Sequence, residues 1–228
     1  MRSQDCSMVL WGGITCFSAY RVVVAAALFV VALILLLSTL TMLATVLVSA
    51  HKPVFEGVDT SGYSDAVQIP DPEVSWAIYG YIDSTGDADY YYFDIDAPVD
   101  VYTELLVPKK SVYDDFYPSY AIVGPKLPDS PGLPFEVPGS CGAVVVDSPP
   151  GDRETFYEPF TGINYYRGFR KHTLLSEPGR YYVVVYDRSH ASGDYVLAVG
   201  EKESFGLRDI PGVVADVLKI RSGSIDHS

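Results

Sequence analysis

The chain is poor in the residues that small exported domains use as staples. It has three cysteines in 228 residues, and Cys6 and Cys16 precede a long apolar run, so only Cys141 belongs to the part of the chain beyond that run. No disulfide can form within that remainder, and its stability has to come from a core. Cys141, with no activating signal near it, reads as a small buried residue and not as a nucleophile. Met1, Met8 and Met42 lie before or within the apolar run, which removes a usual ligand of a cupredoxin-type copper site. There is no Cys-x-x-Cys or His-x-x-x-His pair to hold zinc. The histidines are His51, His172, His190 and His227, and no Gly-x-Ser-x-Gly elbow marks a nucleophile. Positive charge is also scarce. Lys and Arg number 16 against 29 Asp and Glu, a net charge of −13. Residues 1–50 hold Arg2, Arg21 and Asp5, a net +1, which leaves −14 for residues 51–228. Such a surface repels phosphate backbones and argues against a nucleic-acid partner.

What the chain has in abundance is apolar length. Residues 22–50 carry no charge and are dominated by Val, Ala, Leu and Ile. About 20 apolar residues in a helix cross a hydrocarbon core of about 30 Å, so the run predicts a single membrane span. Val48-Ser49-Ala50 also offers the small residues of a signal cleavage site, but signal cores run only about 7 to 15 residues, which favours an uncleaved anchor. Arg2 and Arg21 before the span, against Lys52 after it, place residues 1–21 in the cytoplasm and the rest outside. The expected localisation is the cell membrane, single-pass, with an extracytoplasmic C-terminal domain.

Residues 51–72 are rich in Pro, Gly, Ser and Asp without periodicity, and read as a tether. From about Val74 the pattern becomes one of short alternating runs. In "DYYYFDID" Tyr91, Phe93 and Ile95 share one face and Tyr90, Tyr92, Asp94 and Asp96 the other. "VSWAIYGYI", "VDVYTELLV" and "GRYYVVVYD" alternate likewise, and Gly193-Asp194 between two β-rich runs reads as a hairpin. Residues 73–203 are therefore expected to form an all-β, antiparallel jelly-roll or β-sandwich domain. Residues 204–228 predict a short amphipathic helix and tail, with Asp209 as N-cap and Lys219 and Arg221 in the last turn.

"GDADYYYFDI" early, then "PGRYYVVVYD" and "SGDYVLAVG" late, resemble the bacterial pre-peptidase C-terminal domain, a secreted jelly-roll β-sandwich. The resemblance rests on residues 86–95, 179–186 and 193–199, and residues 109–172 are longer and more aromatic than that family's core. It implies a non-catalytic appendage of the kind that binds polymeric substrates or calcium.

Two sets of side chains are candidates for a site. Asp83, Asp87 and Asp89 surround the turn Thr85-Gly86 and suit calcium, the one cofactor the sequence suggests; aspartates capping the turn explain the same letters. Tyr113, Phe116, Tyr117, Tyr120, Phe156, Tyr157, Tyr165 and Tyr166, with Phe160 and Phe169 near them, are candidates to stack on sugars or to anchor a protein, or else to form a satellite core. The expectation is a membrane-anchored, non-catalytic binding module at the cell envelope, with an envelope protein or a surface polysaccharide as partner. The alternatives are an accessory or cryptic hydrolase built around His172 or His190, and a calcium-stabilised carbohydrate-binding module.

Overall fold

The computed structural model describes residues 11–48, 51–57, 59–83, 86–159, 161–204 and 210–222. Phe160, Asp209, His227, Cys6 and Thr85 of the sequence-based expectations lie outside them. The chain divides into two compact units, Met1–Val46 and Leu47–Ser228.

The first unit is the greater part of helix α1, Trp11–Val48. From Tyr20 to Thr39 it is apolar apart from Arg21 near its start and exposed on all sides, and at 20 residues it is long enough to cross a bilayer. Near its end Ser38 Oγ donates to Leu35 O and Thr39 Oγ1 to Leu36 O, which turns both hydroxyls back onto the helix. The helix has the length and composition of a signal anchor or a signal sequence.

The second unit is mostly β, two mixed sheets forming a sandwich with a short C-terminal helix. One sheet contains β1 (Lys52–Phe55), β3 (Trp76–Ile82), β5 (Val99–Pro108), β8 (Thr155–Glu158), β9 (Ile163–Leu175) and β11 (Gly193–Val199). Its strand order is β1-β3-β11-β5-β9-β8. The other contains β2 (Val67–Gln68), β4 (Ala88–Ile95), β6 (Ser119–Pro125), β7 (Cys141–Val146) and β10 (Gly179–Tyr186), in the order β2-β4-β10-β6-β7. All pairings are antiparallel except two at the edges, β1 with β3 and β2 with β4.

The alternation in the sequence sets the core. Tyr91, Phe93 and Ile95 of β4 and Tyr181, Val183 and Val185 of β10 face Ile78, Val101, Leu105, Leu197 and Val199 of the opposing sheet. Phe93 is fully buried and stacks on Tyr181, with ring centroids 6.1 Å apart. The other face of β4 and β10 is not solvated either. Tyr90, Val184 and Tyr186 are covered by Leu133, Phe135 and Val137 from the proline-rich stretch between β6 and β7, and by Tyr63. Helix α2, Ile210–Ser222, covers the outer face of the first sheet through Ile220, which packs with Tyr79, Leu106 and Tyr165. Arg221 Nε donates to Thr161 O.

Two expectations are corrected. The Gly193-Asp194 turn does not close a hairpin, because β10 and β11 lie in different sheets. Asp187 organises the crossing between them: its Oδ1 accepts from Ser189 N–H, Ser189 Oγ and Ala191 N–H. Period-two alternation is the same whether two strands pair side by side or face each other across a core. Residues 51–72 are more than a tether, since they supply β1 and β2, one edge strand to each sheet.

Replacing Phe93 by Ala removes a ring that no neighbour can replace. Phe93→Ala is expected to cost about 3 to 5 kcal/mol, seen as a lower urea midpoint of the full chain in detergent with an unchanged slope.

Candidate functional site

Two places in the sandwich carry chemistry. The first arises from the parallel edge pairs. The chain passes from β1 to β2, and again from β3 to β4, so two connections cross from one sheet to the other beside each other. Glu56 and Asp59 lie on the first crossing; Asp83 and Asp87 lie on the second, and Asp89 just inside β4. The β1 ladder runs on through Glu56 N–H to Tyr79 O, and Glu56 Oε2 accepts from Tyr81 N–H at 3.2 Å. Thr60 Oγ1 accepts from Tyr90 N–H, which ties the end of the first crossing to β4.

The three aspartates expected as one calcium set are divided by this geometry. Asp87 Oδ2 accepts from Asp83 N–H at 2.8 Å and so caps the turn. The carboxylates of Asp83 and Asp87 gather with Asp59, whereas Asp89 turns inward and gathers with Glu56 and Asp59. In each trio one carboxylate oxygen from each residue lies within 4.8 Å of the other two. Asp89 is fully buried and accepts from Tyr195 Oη at 2.6 Å, and Tyr195 Oη in turn lies 2.7 Å from Tyr91 Oη. Gly80 makes room for both phenols: a Cβ there would stand 2.4 Å from Tyr195 Oη and 2.8 Å from Tyr91 Oη. Burial raises the Glu56 and Asp89 carboxyls above the ordinary carboxylate range, and the proximity of Glu56 raises Asp89 further. Partial burial and neighbouring carboxylates also raise Asp59 and Asp87. Glu56 and Asp59 were invisible in the sequence as partners of this turn, because only the parallel β1–β3 pairing brings them to it.

The second place is a groove of about 510 Å³ between β9 and residues 148–154. A bulge creates it. Glu104 is paired with Arg170 and Leu106 with Arg167, so β9 carries one residue more than β5 around Gly168 and Phe169. A Cβ on Gly168 would press on Leu105 O at 2.9 Å, so glycine is what allows the strand to bend there. The extra residue turns Phe169 outward, and its side chain stands 56% exposed at the groove. On the opposite wall the Arg153 guanidinium lies between Tyr117 and Tyr166, 4.4 and 3.9 Å from their ring centres. It donates to the carbonyls of Phe116, Tyr113 and Asp114, and Tyr166 Oη donates to Asp114 Oδ1. Beside the groove Arg167 makes a two-point ion pair with the buried Glu104, at 2.6 and 2.9 Å, and Tyr102 Oη donates to the same carboxylate. Arg170 pairs with Glu154 near the surface.

Of the eight aromatic candidates, Tyr117 and Tyr166 line this groove. Phe116, Tyr120 and Tyr165 are core residues at 1 to 2% exposure and are withdrawn as ligand contacts. Tyr113 is packed against the core and donates to Asp194 Oδ2; Phe156 lies under Arg167. Tyr157 is exposed on β8, away from the groove lining. His172 lies on β9 between Asp100 and Glu201, 3.4 and 3.7 Å away, and His190 occupies a left-handed turn with φ 62°. Among the described residues no hydroxyl or thiol bonds to either histidine.

Fold and sites define a β-sandwich with an N-terminal apolar helix. Against models of known protein families and against curated proteins, the chain matches none.

The Glu104–Arg167 pair gives a direct check on the groove wall. Arg167→Ala strands a carboxylate whose side chain is 4% exposed, and is expected to cost on the order of 3 kcal/mol in denaturant unfolding. Arg170→Ala, at a surface pair, should cost less than about 1 kcal/mol.

Proposed function

We propose that the chain is a non-catalytic binding module, held at the membrane by α1 with its sandwich outside the cytoplasm, and that it takes a surface polysaccharide in the β9 groove. The observation that carries this reading is the outward Phe169, set by the bulge across from the Tyr117–Arg153–Tyr166 stack. Sugar rings present apolar faces that stack on aromatic rings, and their hydroxyls need donors and acceptors close by. The groove offers both, with Arg170, Glu154, Asp152 and Ser148 beside the rings. The order of the β-strand pieces that resemble the pre-peptidase C-terminal domain is consistent with a polymer-binding appendage.

The exposed ring can be removed without touching the core. Phe169→Ala is expected to weaken binding on an array of envelope polysaccharides by about tenfold, about 1.4 kcal/mol, with the melting temperature unchanged. Undiminished binding would move the ligand away from this groove, and capture of an envelope protein by crosslinking at position 169, without glycan binding, would make the partner a protein. Protease added to intact cells or spheroplasts should release the sandwich; release only after the membrane is breached would reverse the orientation.

A further inference from the structure

We infer that Glu56, Asp59 and Asp89 form a binding site for one hard divalent cation of the calcium class, independent of the groove. Each inner carboxylate has one oxygen in a hydrogen bond within the domain. Glu56 Oε2 accepts from Tyr81 N–H and Asp89 Oδ2 from Tyr195 Oη. Glu56 Oε1 and Asp89 Oδ1 are buried with no hydrogen-bond donor among the described residues. The two residues are 6% and 0% exposed, and an unpaired buried carboxylate oxygen is costly. Asp59, which is exposed, completes the trio and opens it to solvent.

The separation suits calcium. Ligand oxygens about 2.3 to 2.6 Å from a calcium ion lie at most about 5 Å from one another, and the three here lie within 4.8 Å. Carboxylates from an irregular crossing, without an octahedral shell, fit calcium better than magnesium. None of the ion pairs among the described residues includes Glu56, Asp59, Asp83, Asp87 or Asp89. A proton shared by Glu56 and Asp89 would satisfy their two inner oxygens, but it leaves Asp59 and the outer carboxylates without an ion-pair partner among the described residues. A divalent cation satisfies the same oxygens and neutralises the trio more fully. The outer trio of Asp59, Asp83 and Asp87 has its own explanation in the turn cap, and it adds negative potential at the entrance. A bound cation would fasten the crossing that leaves β1 to the first residues of β4.

The test uses the full chain in detergent micelles at one neutral pH. Calcium at about 1 mM is expected to raise the melting temperature about 5 °C above that in a chelator. Terbium should bind with luminescence sensitised through Tyr195, whose hydroxyl bonds to Asp89. Asp59→Asn changes an exposed side chain, so the fold should survive it; it should weaken terbium binding about tenfold or more and abolish the calcium shift. Asp83→Asn should keep both signals. Equal melting temperatures with calcium and with chelator would overturn the site. So would terbium binding that is unchanged in both Asp59→Asn and Glu56→Gln. An Asp89→Asn variant that is stabilised equally in both media would show that a shared proton, not a cation, fills the cluster.

Discussion

A phenol in the middle of a β-sandwich has to have its hydroxyl satisfied, and the way Tyr91 meets that constraint shapes one end of this domain. Tyr91 and Tyr195 come from opposing sheets and meet through their hydroxyls inside the core. Tyr195 donates onward to Asp89, so the chain of hydrogen bonds ends on a buried carboxylate. Gly80 is needed because any side chain would occupy the space of the two phenols. The buried acid then has Glu56 beside it, and the connection bearing Glu56 and Asp59 is laid against the β3–β4 crossing. Core packing and the acidic cluster are thus one continuous structure.

The groove arises from a different departure from regularity. A single extra residue in β9 breaks the pairing with β5 and reverses the facing of the residues after it. Phe169 is exposed for that reason, although it sits in the middle of a long central run of strand. The wall opposite is rigid for electrostatic reasons: Arg153 has three carbonyl acceptors and two aromatic faces, which leaves its guanidinium little freedom. Fixed aromatic and polar groups around a groove limit the ordering that a ligand must impose on binding.

The segment after the apolar helix joins these themes. β1 and β2 are short, parallel to their neighbours, and each covers an edge that would otherwise be open. With α2 on the outer face of one sheet and the proline-rich stretch on the other, the sandwich has little bare sheet surface away from the groove.

The sequence by itself determined the sandwich and the helix. Alternation of period two in β4, β5 and β10 assigns Tyr91, Phe93, Val101, Leu105, Val183 and Val185 to one buried face, because successive side chains in a strand point to opposite sides. The uncharged, mostly apolar run that begins at Val22 can be comfortable only in an apolar medium or a core, and that too is local information. Neither of the sites was local. Alternation does not say which strands pair and which face each other, so the crossing from β10 to β11 looked like a hairpin. The aromatic residues that follow β5 looked equivalent, but Phe116 and Tyr165 entered cores while Tyr117 and Tyr166 closed on an arginine. Glu56 and Asp59 lie about 30 residues from Asp89 in an unpatterned stretch. Only the tertiary structure decided that they meet, since parallel pairing at a sheet edge depends on backbone hydrogen bonds between distant segments and leaves no periodic mark in the side chains.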